Sequence, residues 1–129
     1  MKVLDEHIIA QQCENLRQWR IPFRQIGWHL SARGALDENL IPVLQQLSKP
    51  TFFTHDKDFF EASLCHSHYA IVYLDVADTE TAEFIWRVLR HRMFDTSAKR
   101  MGIVARAQVG GVQYWAKGKS PLQSAKWSD

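Results

Sequence analysis

The sequence predicts an α/β fold of three layers, in which a central and mostly parallel β-sheet lies between helices. Short apolar segments that suit buried strands alternate with longer segments whose apolar residues recur at helical spacing. Ala70–Leu74 has the clearest strand pattern, and Thr79–Phe94 has the clearest helix pattern. Strands separated by helices are typical of parallel sheets covered on both faces. The length of 129 residues limits such a fold to one domain.

The first half of the chain is predicted to contain three strands and two helices. Pro22 interrupts the first helical pattern, and Asp37 is a favourable N-cap for the second helix. The predicted elements are a strand at Lys2–Leu4, a helix at Ile8–Trp19, a strand at Phe23–Ile26, a helix from Asp37 to about Leu47, and a strand at Thr51–Thr54.

The second half continues the alternation and ends in a predicted hairpin. A short helix at Phe59–Leu64 precedes the clear strand and helix named above. Gly110 and Gly111 stand between strands predicted at Gly102–Gln108 and Val112–Ala116, which is a hairpin signal. Residues 1–116 are therefore predicted to form the domain, and residues 117–129, with Gly118 and Pro121, a flexible C-terminal tail.

Composition predicts a soluble, cytoplasmic protein. Apolar residues make up 46% of the chain and charged residues 23%, which is usual for globular proteins. Cys13 and Cys65 are far apart and form no C-x-x-C pair, so we expect a reducing compartment. No apolar segment approaches a membrane span, and Asp5 and Glu6 interrupt any signal-peptide core.

Five Trp and seven Phe exceed the needs of one core, which favours a partner surface and a homodimer.

Charge is distributed unevenly along the chain. Residues 87–129 carry nine Lys or Arg and two Asp, a net +7, and the remainder of the chain carries −5. A basic segment joined to an acidic one suits a polyanion held close to metal-binding carboxylates. Arg87, Arg90 and Lys99 are the candidate contacts to RNA phosphates. A solvated basic helix face explains the same bias equally well.

Acidic residues follow or begin predicted elements at three places. Asp5 and Glu6 follow the first strand, Asp37 begins the second helix, and Asp56 and Asp58 follow the strand Thr51–Thr54. Right-handed crossovers bring the carboxyl ends of parallel strands to one edge of the sheet, where open α/β folds keep their ligand sites. Hard cations such as Mg²⁺ and Mn²⁺ prefer carboxylate oxygens. These positions therefore predict a divalent cation site.

The order of these motifs, ending in Thr54-His55-Asp56-Lys57-Asp58-Phe59, resembles the small bacterial PIN-like domains related to the VapC-type toxin ribonucleases. The resemblance covers roughly residues 1–74 and implies a Mg²⁺- or Mn²⁺-dependent endoribonuclease, blocked by a small cognate antitoxin. The first strand is shorter than in many members, and the basic end matches weakly. By position, the resemblance implies that Asp5, Asp37, Asp56 and Asp58 are catalytic and bind the metal, with Glu6, Glu38 and Thr54 as accessory residues.

Each candidate residue also has a structural explanation. Asp37 and Asp56 could be helix N-caps, and Asp5 could end a strand in a turn. His55 could contact substrate or point to solvent, and Trp86 is expected in the core. The alternative functions are a non-catalytic PIN-like module that binds protein or RNA, and a hydrolase of small phosphoesters. Trp28 and Arg33 could stack on a base or close the core.

Overall fold

The computed structural model describes residues 1–26 and 37–127. The predicted Trp28 and Arg33 lie outside these ranges. The strands are β1 (Lys2–Leu4), β2 (Arg24–Gln25), β3 (Thr51–Thr54), β4 (Ala70–Leu74), β5 (Ile103–Gln108), β6 (Gly111–Ala116) and β7 (Lys119–Ala125). The helices are α1 (Ala10–Gln18), α2 (Asp37–Gln46), α3 (Thr81–Arg90) and α4 (Ser97–Arg100), with 3-10 turns at Lys57–Phe59, Ala62–Leu64 and Asp78–Glu80.

The described strands form one sheet of seven in the order β2-β1-β3-β4-β5-β6-β7. The first five strands of that order are parallel to their neighbours, whereas β6 and β7 run antiparallel. The prediction of an α/β fold with a mostly parallel sheet is therefore confirmed. The hairpin predicted about Gly110 and Gly111 is also present, as the β5–β6 pair.

Alternate strand residues supply two separate cores, one on each face of the sheet. Leu4, Phe53 and Val72 pack on the face covered by α1 and α3. Phe52 and Ile71 pack on the other face, beneath α2. Full burial of such side chains contributes roughly 1.5–3 kcal/mol each to the stability of the fold. Short, continuously apolar strands arise here because both faces of the sheet are buried.

The helices α1 and α3 are tied together by a side chain as well as by apolar packing. Leu16 of α1 and Val88 of α3 are both buried in the same core. The side-chain oxygen of Gln12 accepts a hydrogen bond from the backbone N–H of Ala82 over 2.9 Å. Since the first N–H groups of a helix have no partner within that helix, Gln12 satisfies one at the start of α3.

The prediction of a flexible tail from residue 117 is wrong for residues 119–125. These residues form β7, which pairs with β6 through Gln123 and Lys119, and the register shifts between those two pairs. Pro121 lies within the irregular part of the strand. Trp127 follows, and its indole N–H donates a hydrogen bond to the carbonyl of Gln108 over 2.6 Å. The end of the described chain is therefore part of the folded unit.

Two helix predictions also need correction. The region predicted as one helix at Phe59–Leu64 forms two separate 3-10 turns instead, at Lys57–Phe59 and at Ala62–Leu64. The helix predicted at Thr79–Phe94 is regular only over Thr81–Arg90. None of the helices within the described ranges is long and apolar enough to cross a membrane.

Candidate functional site

Two of the predicted acids meet at the carboxyl edge of the sheet. Asp5 comes directly after β1 and Asp56 shortly after β3, and these strands are parallel neighbours. The hydroxyl of Thr54, the last residue of β3, donates a hydrogen bond to Oδ2 of Asp5 over 2.6 Å. Its oxygen accepts a hydrogen bond from the backbone N–H of Asp56 over 3.0 Å. Thr54 thus connects the two aspartates.

A small cavity of about 80 Å³ lies between these aspartates. It has room for one cation with one or two water molecules, since a water occupies about 30 Å³ in the liquid. Apolar walls lower the local dielectric and strengthen the repulsion between neighbouring carboxylates, which a divalent cation would relieve. The lining consists of Asp5, Glu6, His7 and Asp56 together with the apolar residues Ile26, Leu40, Phe52 and Phe59.

Asp56 is both a helix cap and a cavity residue. Its Oδ1 accepts a hydrogen bond from the backbone N–H of Asp58 over 2.9 Å, which caps the 3-10 turn Lys57–Phe59. No other hydrogen bond to its carboxylate is formed within residues 1–26 and 37–127, so Oδ2 can accept a ligand. Asp58 itself is exposed and does not line the cavity. The two aspartates that follow β3 therefore differ in position.

Of the remaining predicted acids, one lies at the cavity and two begin a helix that approaches it. Glu6 is part of its lining. Asp37 and Glu38 begin α2, and Leu40, one turn after Asp37, also contributes to the lining. The side chains of Asp37 and Glu38 lie outside the described part of the structure. The start of α2 is thus close to the cavity, as the sequence predicts for a helix that opens at this edge.

The described residues provide some, but not all, of the ligands that a divalent cation needs. Within the described ranges, no group of three or more His, Cys, Asp or Glu side chains is placed to hold a metal ion. Asp5 and Asp56 supply two carboxylates at one cavity. Mg²⁺ commonly uses one or two protein carboxylates and keeps several water molecules, so this pair is compatible with it.

Polar residues continue from the acidic pair across the same face of the sheet. Tyr73 pairs with Thr54, Arg106 pairs with Tyr73, and Gln113 pairs with Arg106. Paired residues on adjacent strands lie on one face, so these side chains form a band beside the two aspartates. We call this band, consisting of Asp5, Thr54, Tyr73, Arg106 and Gln113, the polar row.

Asp75 holds the middle of the polar row in place. Its Oδ2 accepts a hydrogen bond from Nε of Arg106 over 2.9 Å, and its Oδ1 accepts one from the Tyr73 hydroxyl over 3.3 Å. The other side of the guanidinium donates to Oε1 of Gln113 over 3.3 Å. Arg106 is consequently oriented from two sides, although about a third of its side chain remains exposed.

The charges of the site also act on Tyr73. Burial, and then the negative charges of Asp75 and Asp56, raise the pKa of the Tyr73 hydroxyl above its ordinary value of 10.0. This hydroxyl therefore keeps its proton at neutral pH and acts as a hydrogen-bond donor. Sequence reasoning missed Tyr73 and Arg106. Both stand two residues after a buried apolar residue, Ile71 or Val104, just as Thr54 stands two residues after Phe52.

His55 contacts structural groups rather than the cavity. Its Nδ1 lies 2.9 Å from the carbonyl of Leu74, and its Nε2 lies 2.7 Å from the hydroxyl of Thr81. The Asp78 carboxylate lies 3.8 Å from Nε2. The ring therefore joins the end of β3 to the end of β4 and the start of α3.

The predicted RNA-contact residues lie away from the acidic pair. Arg87 packs its guanidinium over the Phe84 ring at 4.7 Å. Arg90 lines a cavity that also contains Lys2, at the start of β1. Lys99 precedes β5 and bonds to Asp95 over 2.9 Å. Arg90 and Lys99 thus lie at the amino edge of the sheet, opposite the edge that carries Asp5 and Asp56.

Trp86 is also more exposed than the sequence predicts. The helical spacing of Ala82, Trp86 and Met93 predicts a core position, but 42% of Trp86 is exposed. The buried stripe of α3 runs through Ile85 and Val88 instead.

Comparison with known proteins identifies no relative. No protein-family model matches the chain. No curated protein and no solved structure matches it significantly. The fold and the geometry of the site are therefore the basis for any functional conclusion.

Proposed function

We propose that this protein is a metal-dependent endoribonuclease whose active site is the cavity between Asp5 and Asp56. The main support is that these two carboxylates, distant in sequence, line one small cavity and are joined through Thr54. A non-catalytic module would have no need to place two carboxylates against apolar walls where residues 1–26 and 37–127 provide no ion pair to either of them.

In this proposal Asp5 and Asp56 bind Mg²⁺ or Mn²⁺, with Asp37 and Glu6 as further ligands from either side. Asp58, which the resemblance also implies, would act through water because it lies outside the cavity lining. When bound, the cation would lower the pKa of an attacking water and stabilise negative charge on the phosphate. Thr54 orients Asp5, and Glu38 is the substitute for Asp37.

The polar row supplies the contact to the RNA backbone. Neighbouring strands lie about 4.8 Å apart, so the Cα of Arg106 lies about 10 Å from that of Thr54. A guanidinium at that distance can reach the phosphate adjacent to one held at the cavity. Arg106 would bind that phosphate in a bidentate manner, and Asp75 and Gln113 would keep its plane fixed. Arg87, Arg90 and Lys99 would then contact more distant parts of a longer RNA.

The decisive experiment compares Asp56→Asn with the parent protein on a single-stranded RNA in Mg²⁺ or Mn²⁺. The asparagine oxygen can still accept the Asp58 N–H, so the cap and the fold should persist. We expect cleavage to fall by about 100-fold or more, because charge stabilisation worth several kcal/mol is lost and each 1.36 kcal/mol is tenfold in rate.

The control is Glu61→Gln, which removes one exposed carboxylate on the neighbouring 3-10 turn. It should cleave RNA at the parent rate. Undiminished cleavage by Asp56→Asn would refute the assignment. Calorimetric titration with Mn²⁺ separates the alternatives: absence of heat, together with an unchanged Tm, would favour the non-catalytic binding module.

We further propose that the enzyme is the toxin of a toxin–antitoxin pair, acting in the cytoplasm. Its partner would be a small antitoxin protein, and the enzyme itself would be a homodimer. Induced expression should arrest growth in the parent and not in Asp56→Asn, and co-expression of the antitoxin should restore growth. Arrest that persists with Asp56→Asn would separate toxicity from cleavage.

A further inference from the structure

A second and larger cavity lies at the amino edge of the sheet, away from the acidic pair. Its volume is about 380 Å³, within the range of roughly 300–1,000 Å³ that small-molecule sites occupy. Lys2 begins β1, and Arg100 ends α4 shortly before β5 starts, so both mark the edge where parallel strands begin. We call this space the amino-edge cavity.

Four cationic residues from different elements line the amino-edge cavity. Lys2 comes from β1, Arg20 follows α1, Arg90 ends α3 and Arg100 ends α4. Among the described lining residues the only carboxylate is that of Asp95, which is bonded to Lys99 over 2.9 Å. The cavity therefore carries a large excess of positive charge.

Among the described residues that line the cavity, these cations have one counter-ion, Asp95, whose charge offsets part of the burial of Arg100. Arg100 is only 4% exposed, and its guanidinium bonds to neutral acceptors, the hydroxyl of Thr51 and the carbonyl of Phe94, each over 2.8 Å. Within the described part of the chain, Lys2 and Arg20 form no ion pair. Burial, and then the charge of Arg100, lower the pKa of the Lys2 ammonium group. An anion in the cavity would relieve this repulsion.

Arg20 occupies a backbone conformation that is unusual for a residue other than glycine. Its φ is +60°, in the left-handed region that glycine adopts most easily after the end of a helix. A non-glycine residue keeps this conformation at an energetic cost, and such strain is concentrated at functional sites. Trp19 precedes Arg20, lines the same cavity and is 47% exposed.

Trp86 lines the cavity from α3 and is likewise exposed. The guanidinium of Arg90 lies 5.2 Å from the centre of its ring and so holds the indole beside the cationic groups. Exposed aromatic rings next to positive charge are the usual platform for a nucleobase that carries a phosphate.

We propose that the amino-edge cavity binds a nucleotide, with its phosphate among Lys2, Arg20 and Arg100 and its base against Trp19 or Trp86. This site is separate from the acidic cavity, and its existence does not depend on metal-dependent cleavage. The ligand is either a free nucleotide or the phosphorylated end of an RNA chain, which share this chemistry.

The test measures AMP binding by calorimetry and by quenching of tryptophan fluorescence, in EDTA and with Asp56→Asn protein so that no cleavage occurs. AMP should bind saturably and quench fluorescence, and adenosine without a phosphate should not bind. Arg20→Gln should weaken AMP binding about tenfold or more, because a charge-assisted contact to the phosphate is lost. The matched control, Arg24→Gln, removes an exposed arginine outside the cavity and should bind AMP like the parent.

Arg20→Gly distinguishes loss of binding from loss of folding. It removes the guanidinium and also the backbone strain, so the Tm should equal or exceed that of the parent while AMP binding is lost. A 5′-phosphorylated oligoribonucleotide that binds more tightly than AMP, with the same dependence on Arg20, would identify an RNA end as the source. Equal affinity for AMP and for this oligoribonucleotide would identify a free nucleotide as the ligand. The proposal is overturned if AMP does not bind, or if Arg20→Gln and Arg24→Gln bind it equally.

Discussion

At the scale of single residues, His55 shows how a hydrogen-bond pattern determines a role. The Leu74 carbonyl can only accept, so Nδ1 of His55 carries a proton. Nε2 lies 2.7 Å from the Thr81 hydroxyl, which also donates a hydrogen bond to the carbonyl of Asp78 over 2.7 Å. Both ring nitrogens are therefore held by structural groups, and His55 is not among the residues that line the acidic cavity.

We therefore predict that His55→Ala lowers stability rather than the chemical rate. Loss of its two hydrogen bonds should reduce the free energy of unfolding by about 1–3 kcal/mol, measured by urea denaturation. Thr81→Val removes one of the same partners, so the double variant should lose less than the sum of the two single losses. A large fall in cleavage per folded molecule in His55→Ala would contradict this structural role.

At the scale of elements, Gly111 is a point of close approach between β6 and β7. Its φ is +146°, and a Cβ built on it would lie 2.5 Å from the carbonyl oxygen of Ala125. Neither the backbone conformation nor the space therefore accepts a side chain. The neighbouring Gly110 has no atom within 4 Å of such a Cβ.

Gly111→Ala should consequently destabilise the protein by about 2 kcal/mol or more, through strain and displacement of β7. Gly110→Ala is the matched control and should change the free energy of unfolding by less than about 1 kcal/mol. Urea denaturation measures both, and equal effects of the two variants would show that β7 does not lie where the structure places it.

The sequence predicts the apolar elements well and the polar ones poorly. Ala70–Leu74 is buried on both faces, so its composition alone identifies it. β7 contains Pro121 and only one large apolar residue, Leu122, and it is held by backbone pairing that leaves no hydrophobic pattern. Likewise, Asp5 and Asp56 follow recognisable strands, whereas the neighbourhood of Arg106 depends on a strand order that no local pattern encodes.

At the scale of the whole molecule, one buried and one partly buried thiol make the stability of the protein depend on alkaline pH. Burial raises the pKa of both Cys13 and Cys65 above the ordinary value of 9.0. The unfolded chain therefore loses these protons first as the pH rises. Their contribution is complete below about pH 9 and is lost as the pH rises through the folded-state values. Lys2 affects the stability in the opposite direction. Its pKa is lowered from 10.5, so its unfavourable contribution diminishes as the pH rises.

The thiol contribution can be isolated by comparing the parent with a Cys13→Ala, Cys65→Ala double variant. The variant loses packing at every pH, but its free energy of unfolding should fall less than that of the parent between pH 8 and about 10.5. Urea denaturation across this range tests the prediction. Parallel pH profiles for the two proteins would contradict a role for the thiols.

The irregular pairing of β7 has a consequence for assembly. β7 is the last of the described strands in the sheet, so one row of its backbone groups is paired with no other described strand. Pro121 has no N–H to donate, and the shifted register around it breaks the straight ladder that an incoming strand would need. Growth of the sheet by edge-to-edge addition, and the fibrous aggregation that follows from it, is therefore disfavoured at this side. We therefore expect a dimer of this protein to form through some other part of its surface.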